Sequence, residues 1–93
     1  MDTTLTATAG QELRVELESI PASGARWQHL QDASGPQLMR EEGQPLGQAA
    51  GDATLQVFVF RCGQPGSYTL RFQLRRVWEP LPRQEKTIHV DVR

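Results

Sequence analysis

Ninety-three residues with ten basic and eleven acidic side chains, a formal net charge of −1 and 38% apolar residues make one domain with one core. That charge balance excludes nucleic acid as a partner, which needs clustered positive charge, and no apolar run approaches the roughly 20 residues of a membrane span. Cys62 is the only cysteine, which excludes an internal disulfide and any multi-cysteine metal site.

Residues 3–8 read as a first short strand, closed by the turn signal Ala9-Gly10. Leu13, Val15 and Leu17 then alternate with Arg14, Glu16 and Glu18, the period-2 pattern of a half-buried strand. Residues 25–30 and 37–42 are shorter candidates, separated by Ser34-Gly35-Pro36. The run 55–60 is apolar on both faces near its end, which predicts a strand covered on both sides there. Beyond Gly63-Gln64-Pro65-Gly66, Tyr68, Leu70, Phe72 and Leu74 alternate with polar residues, and Ile88, Val90 and Val92 do the same near the C-terminus. No segment has helical periodicity, and there is no repeat or low-complexity tract.

Seven short strands with regular turn punctuation predict an all-β, immunoglobulin-like sandwich of antiparallel strands with Greek-key connections, a single domain over residues 1–93. Trp27 on the third strand is where such folds bury a tryptophan, and Tyr68 after Gly66 is where a tyrosine corner pins the chain. The expected core is Leu13, Val15, Leu17, Trp27, Val57, Val59, Leu70, Phe72, Ile88 and Val90. In this topology the connections 20–25, 42–52 and 75–84 gather at one end and form a candidate binding surface.

The first of these connections reads Ile20-Pro21-Ala22-Ser23-Gly24-Ala25-Arg26-Trp27. Pro21 fixes its own φ, Gly24 can take the positive φ of a sharp reversal, and two small residues lie between them. The predicted tip is narrow and stiff, suited to entering a cleft at little entropic expense. The middle connection, 42–51, is long and rich in small residues, either a contacting arm or a spacer. The third, Arg75-Arg76-Val77-Trp78-Glu79-Pro80-Leu81-Pro82, sets a tryptophan beside cations with prolines that forbid regular pairing. Trp and Arg are the residues most enriched at binding hot spots. An exposed Trp78 is expected, against the alternative of a lid folded over the core.

Catalytic readings have little support. Ser23 with His29 or His89 shows no motif that assembles a triad. Two histidines far apart, without carboxylate spacing, do not make a zinc site. Cys62 reads as a small buried residue at a strand end. No enzyme activity, metal or cofactor is expected. Met1-Asp2-Thr3-Thr4 has neither the basic start nor the apolar stretch of a signal peptide. The expected location is periplasmic or secreted if a leader has been removed, and cytoplasmic otherwise.

Together the three loops resemble those of the chagasin family, small immunoglobulin-like inhibitors of papain-type cysteine peptidases. That family's pattern is Asn-Pro-Thr-Thr-Gly followed by an aromatic, then a Gly-rich segment, then Arg-Pro-Trp. Pro21, Gly24 and Trp27 match the first motif, with Ser23 a conservative match to its second Thr. Leu46, Gly47 and Gly51 correspond to the second, and Arg76 and Trp78 match the third. Ile20 stands in place of the Asn, Ala22 of the first Thr, Ala49 and Ala50 of glycines, and Val77 of the Pro.

The resemblance implies a reversible inhibitor of papain-like, cathepsin-like cysteine peptidases. It would bind as a monomer through Ile20, Pro21, Ala22, Ser23, Gly24, Gly47, Ala49, Ala50, Gly51, Arg76, Val77 and Trp78. The alternative for the same fold is a non-inhibitory adhesion or accessory domain that uses sheet faces or edges.

Overall fold

Alternating side chains commit the chain to strands that each bury one face, and the computed structural model shows seven of them. It describes residues 2–20, 23–31, 35–47 and 53–93. They are β1 (Asp2–Ala7), β2 (Glu12–Ser19), β3 (Ala25–Leu30), β4 (Gln37–Pro45), β5 (Thr54–Arg61), β6 (Gly66–Arg76) and β7 (Gln84–Val92). Two sheets form, one of four strands ordered β1-β7-β6-β3 and one of three ordered β2-β5-β4. There is no α-helix among the described residues.

The pairings are antiparallel with one exception, which corrects the expectation of a wholly antiparallel sandwich. Strand β1 lies parallel to β7, with Asp2 opposite Thr87 and Ala7 opposite Val92. The chain runs up and down by turns, so its first and seventh strands point the same way, and setting them side by side makes a parallel pair. The step from β1 to β2 crosses between sheets, secured by backbone bonds from Ala9 to Arg93 (2.9 Å) and from Gly10 to Cys62 (2.9 Å).

Between the sheets lie Val15, Leu17, Trp27, Phe58, Phe60, Leu70, Phe72, Ile88, Val90 and Val92. Phe58, Phe60 and Phe72 are fully buried, and burial of each such side chain contributes about 2–3 kcal/mol. Leu13 packs against this cluster while only partly buried.

Strand β5 is covered on both faces near its end, as the sequence predicts. Val57 and Val59 are buried as predicted, but on the outer side of the three-stranded sheet, while Phe58 and Phe60 point inward. Val59 lies opposite Arg14 and Arg40, and Val57 opposite Glu16 and Glu42. Among the described residues, the ladder partners on this second face are charged side chains, whose aliphatic stems are apolar. Ion pairs Arg14–Glu16 (3.6 Å) and Arg40–Glu42 (3.0 Å) link successive residues of that face on each flanking strand.

Strand β4 continues three residues past its expected end and carries a register shift between Leu38 and Arg40. That bulge returns Glu41 to the inner side, opposite Phe58. There its carboxylate accepts a bond from Gln56 (3.2 Å) and pairs with Arg26 (3.6 Å).

Gln56 joins the two sheets. It is 3% exposed, its Oε1 accepts from the Trp27 amide (2.9 Å), and its Nε2 donates to the Trp27 carbonyl (3.2 Å). A side-chain amide thus stands in for the neighbouring strand that β3 lacks at its sheet edge. The Trp27 indole Nε1 donates to the Glu18 carbonyl at 3.0 Å, so the predicted core tryptophan is fixed at backbone and ring.

Candidate functional site

Register places three connections at one end of the sandwich. Ser19 and Pro45 both lie opposite Thr54, and Ala25 lies opposite Arg76. The loops 20–24, 46–53 and 77–83 therefore leave from adjoining strand ends. The second and third are shorter than the sequence suggests, because β4 runs on to Pro45 and β6 to Arg76. Ile20, Leu46, Val77, Trp78 and Leu81 are all exposed here, against only Leu30 and Met39 among exposed large apolar residues elsewhere in the described chain. Such clustering marks an interaction surface.

In the first loop Ser23 is a brace. Its amide and its Oγ both donate to the Ile20 carbonyl, at 3.0 Å and 2.7 Å, and its Oγ accepts from the Ala25 amide at 3.2 Å. A hydroxyl engaged in this way supports the turn and has no histidine partner among its bonds. Gly24 follows with φ +79°, the left-handed conformation the sequence anticipates. Pro21 and Ala22 lie outside the described residues, as do Ala49, Ala50 and Gly51 of the middle connection and Ser34 of the expected turn Ser34-Gly35-Pro36. The base of the middle loop is closed by a bond from the Leu46 amide to the Ala53 carbonyl (3.0 Å), with Gly47 half-buried beside it.

The third loop begins with a turn in which the Glu79 amide donates to the Arg76 carbonyl (3.1 Å). Val77 and Trp78 occupy its two central positions and are pushed outward. They are 92% and 69% exposed, so Trp78 is not a lid on the core. The indole still has a neighbour. A Cβ on Gly24 would overlap the Trp78 ring, with Cζ2 and Cζ3 each at 3.2 Å and Cη2 closer still. The ring edge thus rests against the bare Cα of Gly24, a place open only because that residue is glycine.

Arg76 ties the first loop to the third. Its Nε donates to the Ser23 carbonyl at 2.6 Å, and its Cζ lies 5.9 Å from the centre of the Trp78 ring, within cation–π range. Its Nη1 is 3.5 Å from Glu79 Oε1. The guanidinium fork spends these contacts inside the molecule, at the junction of the two loops. Glu79 and Leu81 escaped the sequence reading. For Glu79 a signal was present, since it stands three residues after Arg76 and four before Arg83 and ion-pairs with both.

At the opposite end the tyrosine corner forms as expected, with the Tyr68 hydroxyl donating to the Gln64 carbonyl at 3.1 Å. Cys62 is half-buried, not fully buried as expected, because it lies just past the end of β5. Its Sγ donates to the same Gln64 carbonyl at 3.2 Å, and hydrogen bonding with Cys62 is the main force pushing the Tyr68 phenol above its ordinary pKa. His29 packs edge-on against Phe60, with ring centres 4.8 Å apart, and its burial lowers its pKa. Among the described residues no three His, Cys, Asp or Glu side chains gather to hold a metal ion.

The immunoglobulin-like sandwich thus presents an apolar, cross-braced loop surface at one end, suited to meeting a partner. The sequence profile of the Chagasin family peptidase inhibitor I42 matches residues 6–92, so the chain belongs to that family of inhibitors, which is not a family of enzymes. Solved structures share the fold. A cysteine protease inhibitor, EhICP2, from Entamoeba histolytica superposes with a TM-score of 0.78 at 16% identity, over 99% of this chain and 94% of its own. PbICP-C, solved in complex with falcipain-2, gives 0.71 at 18% identity over 99% and 88%. The solution structure of Amebosin gives 0.73 at 21% identity over 98% and 89%. Comparison with curated proteins finds no match.

Proposed function

We propose that this chain inhibits papain-type cysteine peptidases reversibly, as a monomer, by laying its three clustered loops across the active-site cleft. Such a peptidase works through a low-pKa thiolate paired with an imidazolium at the floor of a groove. Stopping it takes a wedge that fills the groove and offers no scissile carbonyl in attack geometry. Ile20, Pro21, Ala22, Ser23 and Gly24 are the wedge, where small side chains let the backbone approach the thiolate. Gly47, Ala49, Ala50 and Gly51 meet one rim of the cleft. Val77 and Trp78 meet the other, with Arg76 holding the wedge and this rim contact together.

The observation that carries this reading is the junction of loops one and three. Trp78 is 69% exposed and yet seated on Gly24 beside the Arg76 guanidinium. A large aromatic that is fixed before its partner arrives loses little entropy on burial. The complex should bury about 800 Å² on each partner, the standard size for protease–inhibitor pairs. Alkylation of papain's catalytic cysteine by iodoacetamide tests the position of the wedge. A saturating amount of the chain should protect the thiol and release it on dilution, whereas alkylation at the unprotected rate would reject a wedge in the cleft.

A further inference from the structure

Behind the third loop lies a charged cluster that has no place in the family motif. The Glu79 side chain is 32% exposed and its Oε1 serves two guanidinium groups, Arg83 Nε at 3.2 Å and Arg76 Nη1 at 3.5 Å. Its backbone takes part as well, the amide donating to the Arg76 carbonyl (3.1 Å) and the carbonyl accepting from Arg75 Nη2 (3.4 Å). Arg83 is itself fastened to the sheet, its amide donating to the Leu74 carbonyl at 2.8 Å. One carboxylate therefore joins the residue where the loop leaves the sheet to the residue where it returns.

We infer that Glu79 is a positioning residue for inhibition, acting through Arg76 to keep Trp78 on Gly24; the inference rests on the function proposed above. The route is short. Glu79 restrains one side of the Arg76 fork, and the Nε of the same fork holds the Ser23 carbonyl while its Cζ lies over the Trp78 ring. Partly exposed ion pairs of this kind add little to global stability, so their effect falls on the fraction of molecules whose loops are ready to bind. An apparent affinity falls in proportion to that fraction.

The test compares the unmodified chain with Glu79→Ala, Glu79→Gln, Arg76→Lys and the Glu79→Ala/Arg76→Lys double variant. Papain inhibition is measured on each, with fluorine NMR of fluorotryptophan-labelled protein reporting the loop and the buried Trp27 as an internal reference. Glu79→Ala should raise the inhibition constant about tenfold, shift and sharpen the Trp78 resonance, and leave the Trp27 resonance and melting temperature in place. Glu79→Gln, which keeps an acceptor without the charge, should fall between. The double variant should be no worse than the poorer single one, because both act through one fork. Unchanged inhibition by Glu79→Ala overturns the inference, and so does a loss that merely follows a loss of folded protein. If the unmodified chain fails to inhibit papain, the functional reading falls on that result alone. The Trp78 resonance still judges the positioning, and an unmoved line in Glu79→Ala overturns it.

Discussion

Gly24 and Trp78, on loops far apart in sequence, are in contact so close that the indole occupies the space a Gly24 side chain would need. The backbone at Gly24 adds a second demand, since φ +79° disfavours any residue with a Cβ. Gly24→Val should therefore displace Trp78 and strain the turn together. The expected result is at least a tenfold rise in the inhibition constant, about 1.4 kcal/mol, with the sheets intact by circular dichroism. Inhibition equal to that of the unmodified chain would show that this contact has no part in the binding face.

Trp78→Ala separates the binding anchor from the core. An indole that is 69% exposed contributes little to folding, whereas truncating a central aromatic anchor typically costs about 2 kcal/mol or more of binding. The expected outcome is a roughly thirtyfold weaker inhibition constant with a melting temperature close to the original. A buried aromatic would instead take about 3–5 kcal/mol of stability with it, and calorimetry on this one variant distinguishes the two.

Gln56→Leu should show the opposite pattern. The substitution leaves the Trp27 amide and carbonyl without the partners they have at 2.9 and 3.2 Å, and each unsatisfied buried group costs about 1–3 kcal/mol. Two such groups put the loss at about 2 kcal/mol or more, which lowers the melting temperature of a domain this size by at least about 8 °C. Inhibition by the folded fraction should be little changed, because Gln56 is 3% exposed. A melting temperature within a degree or two of the original would show that the latch does not hold the edge of β3.

Acid should weaken the fold through His29. Burial lowers its pKa below the ordinary 6.5, so the unfolded chain takes up this proton first. Stability is then fully present above about pH 6.5, falls as the pH drops below it, and stops falling once the folded form also protonates. Glu12, held below its ordinary 4.5 chiefly by the Arg40 hydrogen bond, loses its share only at lower pH. Urea unfolding at about pH 7.5 and pH 5 should show the decline, and His29→Phe should flatten it. Equal slopes for the two proteins would remove His29 as the cause.

Strand positions were legible because alternation is local: Leu13, Val15 and Leu17, or Leu70 and Phe72, declare their face within a few residues. Where one face is covered by something distant, the pattern misleads. Val57 and Val59 look like core, yet they share the outer face with Arg14, Arg40, Glu16 and Glu42 on neighbouring strands. Gln56 carries no local sign of its role, because its partner is a backbone edge in the other sheet. The loop surface divides in the same way. The reversal at Gly24 and the exposure of Trp78 follow from local chemistry. The seating of one on the other, and the turning of Arg76 inward onto Ser23, depend on which strand ends the topology brings together.

Blockade of the cysteine-peptidase cleft is tested by the steady-state inhibition of papain and cathepsin L by the purified chain, with trypsin and thermolysin as controls. Competitive, reversible inhibition of both cysteine peptidases is expected at or below micromolar concentration, with none of the serine or metallopeptidase. Full activity of papain and several cathepsins in the presence of micromolar chain would contradict it.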